Sequence, residues 1–263
     1  MPNAWGGSGY TWAGDFNGDG KTDIASANGG SIYVQLQSNN MLPDVLNFYT
    51  TGLGNTTSIT YKPLTNNTVY TKDNTAVYPY VDLQAPLYVV SSVTTSDGIG
   101  GSYATNFTYT GAKSHHLGGG FLGFRQATAH DPQAHIRSTA TYRQDHPYHG
   151  QPLSTQKLTD SNVLLSQSTI TYTDQLLNTG LSPTWHQSIP THTVESSYEL
   201  TGGLISTVIT DTQYDTYGNP TSIVVNSGGG YSKTTTNIYD NIVDDNRWFL
   251  GRLRRSTVNS VTP

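Results

Sequence analysis

The sequence predicts an all-β fold, and three features of its composition carry that prediction. Of the 18 acidic residues only Glu195 and Glu199 are glutamate, so the acidic residue that favours helices is nearly absent. The 27 glycines and 18 tyrosines suit strands joined by tight turns, because aromatic side chains fit a pleated surface. Short apolar runs recur between Gly, Asn and Pro residues. Helix-rich folds are therefore not expected.

Length and charge narrow the class further. With 263 residues the chain is long enough for one large β unit or two smaller domains. Only 12% of the residues are charged and the net charge is -5, so we expect neither nucleic acid nor an acidic membrane surface as a partner. No apolar run of about 18 residues is present, and the start has no signal-peptide pattern, so we expect no membrane span. The absence of cysteine excludes disulfides and thiolate zinc sites.

The first segment predicts a small hairpin. Two short apolar runs, Ile24–Ser26 and Ser31–Gln37, flank the turn Asn28–Gly30. In the second run Ile32, Val34 and Leu36 share one face, which is the period of a strand. A lone hairpin is too small to be stable, so this segment is expected to be a piece of something larger.

The middle of the chain continues with strands of mixed length. Pro79 and Pro86 indicate irregular connections or edge positions there, since proline cannot donate to a central ladder. The predicted strands of this part are Ser58–Tyr61, Leu87–Val93, Tyr103–Tyr109 and Phe121–Ala129.

The last half predicts a series of long hairpins. Turn-forming residues separate its apolar runs at Asn178–Pro183, Tyr217–Pro220 and Asn226–Gly230. The predicted strands are Ser138–Arg143, Leu153–Leu158, Ser168–Thr173, His192–Tyr198, Leu204–Tyr214, Thr221–Val225, Lys233–Tyr239 and Leu253–Val258.

One polar loop near the start predicts a structural calcium ion. Oxygen side chains stand at its positions 1, 3, 5 and 9, with Gly20 at the sharp turn. Ser26 occupies position 12, where an EF-hand has glutamate, so the loop is not an EF-hand. The alternative is a chain of Asx turns without metal. The predicted ligands are the side chains of Asp15, Asn17, Asp19 and Asp23 and the carbonyl oxygen of Lys21.

The same segment carries a family resemblance. Gly9–Ile24 resembles the FG-GAP (VCBS) repeat, and the likeness extends to about residue 37. In that family the repeat forms calcium-binding blades of β-propellers. The resemblance implies one propeller blade in this chain, with the remaining blades elsewhere in the full-length protein.

The middle region carries the most specific resemblance. Ile59–Leu64, Phe107–Lys113, Gly119–Arg125 and Tyr142–Tyr148 are similar in order and spacing to the middle region of insecticidal toxin-complex B components and related RHS proteins. The likeness covers about residues 41–152. It implies a non-catalytic, architectural part of a secreted or surface-exposed bacterial toxin.

The C-terminal part resembles the RHS/YD repeat. Tyr214–Asn219 fits its Tyr-Asp-x-x-Gly-Asn pattern, and we expect Gly218-Asn219 to form a hairpin turn that Asp215 caps while Tyr214 packs across strands. Tyr239-Asp240 and Asn246–Leu253 reinforce the likeness. In that family the repeats build a hollow β-shell around a toxic C-terminal domain.

Together these resemblances imply three parts: a partial propeller blade at 1–38, a toxin-complex B-like β domain at 39–133, and RHS-type hairpins that begin a shell at 134–263. The implied role is to help dock a translocation component and to sequester a toxic payload. The implied partners are the other propeller blades, the rest of the shell and a toxin-complex translocation component.

Two other functions compete with this interpretation. Eight histidines invite an enzyme, but none stands in a known catalytic motif, so no catalytic residue is predicted. Exposed tyrosine and tryptophan on a sheet would suit a calcium-dependent carbohydrate-binding adhesin. Against this, we expect Trp5, Trp12, Trp185 and Trp248 to pack in the core.

Overall fold

The computed structural model describes residues 10–38, 45–176, 185–244 and 247–263. Within these ranges the chain forms eighteen strands and no helix, which confirms the all-β class. No helix long and apolar enough to cross a membrane occurs in them. The strands fall into two compact units. The first comprises Met1–Phe121 and Ala129–Ala134, and the second Leu122–Thr128 and His135–Pro263. The division at 1–38, 39–133 and 134–263 stays a prediction.

The first unit begins with a three-stranded antiparallel sheet. Its strands β1 (Thr11–Gly14), β2 (Asp23–Asn28) and β3 (Ser31–Gln35) lie in sequence order. Gly29 and Gly30, with φ of 58° and 84°, make the turn between β2 and β3, as only glycine does without strain. The predicted hairpin is therefore confirmed.

The rest of the first unit is built around a long strand, β9. The order β4-β5-β8-β9 is antiparallel throughout, and two short strands also pair with β9, β6 in parallel and β7 antiparallel. The sequence predicted neither short strand. The bounds are β4 Phe48–Thr50, β5 Thr56–Pro63, β6 Tyr70–Thr71, β7 Tyr80–Asp82, β8 Tyr88–Ser96 and β9 Ser102–His115.

The core of the first unit lies around β6 and β9. Leu64, Val69 and Ala112 are buried there together with Tyr70. The Tyr70 hydroxyl donates to the Leu83 carbonyl at 2.7 Å and accepts the Ala112 amide at 3.0 Å. Burial raises the pKa of Tyr70, so its hydroxyl stays protonated and can make both bonds.

The second unit is a succession of antiparallel hairpins, as predicted. Each strand from β11 to β17 pairs with the next along the chain, up to β18. The predicted turn at Asn178–Pro183 lies outside the described residues. Strand β10 (Gly120–Asp131) contributes to both units, and the others are β11 Ile136–Tyr142, β12 Pro152–Thr159, β13 Leu164–Leu176, β14 His186–Tyr198, β15 Leu204–Tyr214, β16 Pro220–Gly228, β17 Tyr231–Asp244 and β18 Arg247–Val261.

A tyrosine beside a β-bulge recurs along these hairpins. Each such tyrosine faces a proline of the neighbouring strand, and the register shifts next to it. The hydroxyls of two of them reach back to a carbonyl, Tyr172 to Pro152 at 2.9 Å and Tyr214 to Pro190 at 2.8 Å. The bulge thus aims the ring across the sheet and ties one hairpin to its predecessor. The pairs are Tyr142 with Pro152, Tyr172 with Pro190 and Tyr214 with Pro220.

The expectation that the tryptophans pack in the core is wrong for those described. Trp12 is 47% exposed, Trp185 61% and Trp248 77%, while Trp5 lies outside the described residues. Trp12 is in β1 and Trp248 in β18, both at the end of a strand order. An end strand has one neighbouring strand only, so less of each side chain is covered.

Candidate functional site

The loop between β1 and β2 is organised by its own side chains. The Asp15 carboxylate accepts the backbone N–H of Gly18 at 2.7 Å, of Asp19 at 3.0 Å and of Gly20 at 2.7 Å. The Asn17 side-chain oxygen accepts the Asp19 N–H at 3.0 Å. These bonds are Asx turns, and they draw the chain into a tight coil around Asp15.

The predicted ligands share this loop, but the described residues contain no cluster of three or more His, Asp or Glu side chains that could hold a metal ion. The Lys21 ammonium lies 3.8 Å from the Asp19 carboxylate. A carboxylate has about four lone-pair sites. Asp15 uses three for backbone N–H groups. The donor chemistry therefore still fits a hard cation, and calcium binding stays a prediction.

Asp23 has a role that sequence reasoning missed. It is 1% exposed, and its two oxygens accept backbone N–H groups from Phe16 at 3.0 Å and Gln37 at 2.8 Å. Phe16 is at the start of the loop and Gln37 follows β3. Asp23 thus fastens three segments together through one buried carboxylate. The spacing pattern indicated a ligand, but the distant Gln37 amide left no local signal.

The loop is anchored to Thr65, which follows β5, and to Tyr88 at the start of β8. The Thr65 hydroxyl donates to the Gly18 carbonyl, and the Tyr88 hydroxyl donates to the Asp19 carbonyl. Gly20 has φ of 82°, and a Cβ there would strike the Tyr88 ring and lie 3.0 Å from the Pro86 carbonyl. Burial, aided by the negative charge of Asp19, raises the pKa of Tyr88. Gly20 is therefore required by its backbone angle and by the close approach.

The Tyr-Asp-x-x-Gly-Asn segment folds as the sequence predicts. The Asp215 carboxylate accepts the backbone N–H groups of Tyr217 and Asn219, both at 2.9 Å, and caps the turn. Gly218 has φ of 80° in this turn. The Tyr214 hydroxyl crosses to the neighbouring strand. The predicted roles of Asp215, Gly218 and Tyr214 are confirmed.

Two later residues extend this turn into a network. The second Asp215 oxygen accepts the side-chain amides of Asn219 and Asn241, both at 2.9 Å. The Asn241 oxygen in turn accepts the Gly251 N–H at 2.9 Å. Burial alone would raise the pKa of Asp215, but the bonds from Asn219, Tyr217 and Asn241 outweigh it and lower the pKa. The network joins β17 and β18 to the turn that precedes β16.

Three histidines of the second unit face aspartates across neighbouring segments. Their Nδ1 atoms lie within hydrogen-bond distance of a carboxylate oxygen. The hydroxyl of Ser188, two residues from His186, has no hydrogen-bond partner, so no Ser-His-Asp relay forms there. The pairs are His135 with Asp160 at 3.0 Å, His186 with Asp174 at 2.7 Å, and His192 with Asp211 at 2.6 Å.

Comparison with known proteins identifies one matching sequence family and a group of solved structures with a similar fold. Residues 11–150 match the family described as the insecticide toxin TcdB middle/N-terminal region. No curated protein matches the sequence.

The solved structures that resemble the fold include structures of toxin-complex proteins. One is a Photorhabdus luminescens Tc holotoxin pore, with a TM-score of 0.75, 11% identity and 96% of this chain covered. Two others are TcdB2-TccC3 without its hypervariable C-terminal region, with a TM-score of 0.74, 12% identity and 99% covered, and TcdB2-TccC3, with 0.72, 12% and 95%. This chain spans 16–17% of the length of those chains. At these identities the likeness is one of fold.

Proposed function

The chain belongs to the family of the insecticide toxin TcdB middle/N-terminal region, and on that premise we propose that it is a structural segment of a toxin-complex component. The observation that carries the proposal is the family match over residues 11–150, joined to the fold likeness over nearly the whole chain. In the full-length protein this segment would link a propeller blade to the beginning of an RHS shell. Its role would be architectural and non-catalytic.

The hairpins of the second unit support the shell part of the proposal. Strand β18 is fifteen residues long, exposed throughout, and at the end of the strand order. A long exposed edge strand presents unpaired N–H and C=O groups, which favour the addition of another strand. We infer that the next strand of the shell pairs with β18.

The three-stranded sheet supports the propeller part. Its apolar side chains Trp12, Ile32 and Val34 are exposed, and blades of a propeller bury such faces against one another. We infer that neighbouring blades of the full-length protein cover them. The assembled protein would be secreted or displayed on the bacterial surface, where the propeller docks a translocation component and the shell sequesters a toxic payload.

The test uses the full-length protein, because a closed shell and propeller need more strands than this chain supplies. The protein is mixed with the translocation subunit of the toxin complex, and the product is separated by size-exclusion chromatography. The payload is then digested with protease before and after denaturation. We expect a stable complex and a payload that is cleaved only once the shell is unfolded.

A shell-opening variant sharpens this test. Asp215→Ala breaks the network between β17, β18 and the turn, so we expect faster payload cleavage in that variant. Leu53→Ala is the matched control, because that side chain is 94% exposed. In this variant the payload should be cleaved no faster than in the native protein. A payload cleaved equally fast in the native protein and after denaturation would contradict sequestration, and the absence of any complex would contradict docking.

We also propose that the Asp15–Asp23 loop binds one structural calcium ion. The side-chain oxygens of Asp15, Asn17 and Asp19, with the Lys21 carbonyl, would hold it, since each has lone pairs left beyond the Asx-turn bonds. Asp23, predicted as a further ligand, would contribute through the lone pairs that Phe16 and Gln37 leave free. The support is the donor set and the spacing.

Calcium binding predicts a rise of melting temperature by mass action. We expect the melting temperature of the 263-residue chain to increase at millimolar calcium over that in chelator, and Asp19→Ala to abolish the increase. Asp97→Ala, in a turn that shares no residue with this loop, is the control and should keep it. If titration with calcium releases no heat and the melting temperature is the same in calcium and in chelator, the calcium proposal is wrong.

The adhesin alternative is not favoured by the comparisons, which match a toxin-complex family. The exposed Trp12 and Trp248, which could serve a sugar site, are better explained by their place on end strands that further parts of the same protein cover. For the non-catalytic assignment, the support is the match to a toxin-complex family. Three of the eight histidines pair with aspartates, and two of these pairs, those of His186 and His192, bridge neighbouring strands.

A further inference from the structure

Two imidazoles that are far apart in sequence meet in the second unit. His146 is exposed in the turn between β11 and β12, and His186 is the first residue of β14. Their ring centroids are 4.8 Å apart and the ring planes are at 81°. Nothing in the sequence places these two residues together, because forty residues separate them.

The orientation of His186 is fixed by a carboxylate. Its Nδ1 lies 2.7 Å from Oδ2 of Asp174, and both side chains are 24% exposed. An ionised carboxylate only accepts, so Nδ1 carries a proton, and in the neutral imidazole Nε2 keeps its lone pair. In metal sites, a carboxylate on the far nitrogen of a ligating histidine holds the ring in this way.

The turn that carries His146 is braced on both sides. The guanidinium of Arg143 donates to both oxygens of Asp145, at 2.7 and 2.5 Å, and this bond lowers the pKa of Asp145. Arg143 also covers the ring of Tyr148 at 4.1 Å. Backbone bonds close the turn from Tyr148 to Asp145 and from Gly150 to Arg143. His146 is therefore held by a rigid loop.

Buried polar atoms next to this pair lack partners. Oδ1 of Asp174 and Oγ of Ser188 are buried without a hydrogen bond. The two residues face each other in the register of β13 and β14, on the face that also carries His186. Buried polar atoms are nearly always satisfied by protein or by an ordered water. An ordered water, or a water bound to a metal ion, would satisfy both atoms.

We propose that His146 and His186 bind a divalent late transition-metal ion such as Zn²⁺ or Ni²⁺, with Asp174 as the positioning residue. Two imidazoles on one tetrahedral ion, with metal–nitrogen bonds of about 2.1 Å, bring their ring centroids to about 5 Å. The observed 4.8 Å, with the ring planes at 81°, is an edge-to-face ring contact at a slightly shorter separation. Imidazole suits these metals. The described residues hold no cluster of three His, Asp or Glu side chains for a metal, so water would complete the coordination of the ion.

Such an ion would fasten the turn after β11 to the start of β14. The bond would cross-link two successive hairpins of the second unit and stabilise the folded chain in proportion to metal concentration.

The test is calorimetric titration of the 263-residue chain with ZnCl₂ and NiCl₂ at neutral pH, with melting curves in parallel. We expect saturable binding of one ion per chain and a higher melting temperature. Both His146→Gln and His186→Gln should weaken binding at least tenfold. Asp174→Asn should weaken it by about ten- to a hundredfold, as loss of an orienting carboxylate does elsewhere.

His192→Gln is the matched control. His192 lies on the same strand and pairs with Asp211 as His186 pairs with Asp174, and in the described part of the chain no ring contact joins it to a second imidazole. Its loss should leave the affinity unchanged. Because His146 is exposed, His146→Gln leaves the fold intact even where His186→Gln does not. Undiminished binding in His146→Gln, or no binding to the native chain, would overturn the proposal.

Discussion

Replacing Asp23 with alanine is expected to lower the free energy of unfolding by about 3 kcal/mol, since a hydrogen bond to a charged group contributes about 1.5–3 kcal/mol and two such bonds are lost. The substitution removes the carboxylate, which is 1% exposed, and leaves the N–H groups of Phe16 and Gln37 without their acceptor. Asp23→Asn keeps one good acceptor and should lose about half as much. The measurement is urea unfolding in the presence of chelator, so that no cation contributes.

The control for this experiment is in the same loop. Asp19→Ala removes another predicted calcium ligand, but the Asp19 side chain is 32% exposed and accepts a single backbone N–H, that of Lys21. In chelator it should cost less than about 1 kcal/mol. Equal losses for Asp19→Ala and Asp23→Ala would show that Asp23 is not the buried clamp that its hydrogen bonds indicate.

Much of the strand pattern could be predicted because the signals are local. Alternation of apolar residues over five or more positions, ended by Gly, Asn or Pro, located every long strand from β8 to β18. The short strands β6 and β7 have two and three residues, and they form because β9 offers them a partner. No periodicity exists in so few residues, so their pairing could not be foreseen.

In the candidate sites, too, the contacts between nearby residues were predictable and those between distant strands were not. The turn role of Asp215 follows from residues within four positions of it, and the sequence predicted it correctly. The contribution of Asn241 depends on a strand twenty-six residues away, and that of Gln37 to Asp23 on the end of another strand. The meeting of His146 with His186 depends in the same way on the stacking of hairpins. These partners are set by register, which a single sequence specifies only indirectly.

Replacing Asp215 with alanine is expected to lower the free energy of unfolding by about 2 kcal/mol at neutral pH. Hydrogen bonds to a charged acceptor contribute about 1.5–3 kcal/mol each, and partial exposure of the turn reduces the sum. Four donors lose their acceptor, two from backbone and two from the side chains of Asn219 and Asn241. Asp211→Ala is the control, because that carboxylate is 59% exposed and pairs only at the surface, where such pairs contribute about 0–1 kcal/mol.

The effect of Asp215→Ala should also depend on pH, with a defined sign. The hydrogen bonds hold the pKa of Asp215 in the folded chain below its unfolded value, which is about 3.9 for aspartate. The carboxylate therefore contributes its full stabilisation above about pH 4 and loses it as the pH falls through the folded pKa. Urea unfolding of the native chain and the variant, at neutral pH and in steps below pH 4, should show their difference in unfolding free energy shrinking toward acid. A difference that stays constant, or grows, would mean that the charge of Asp215 does not hold this turn.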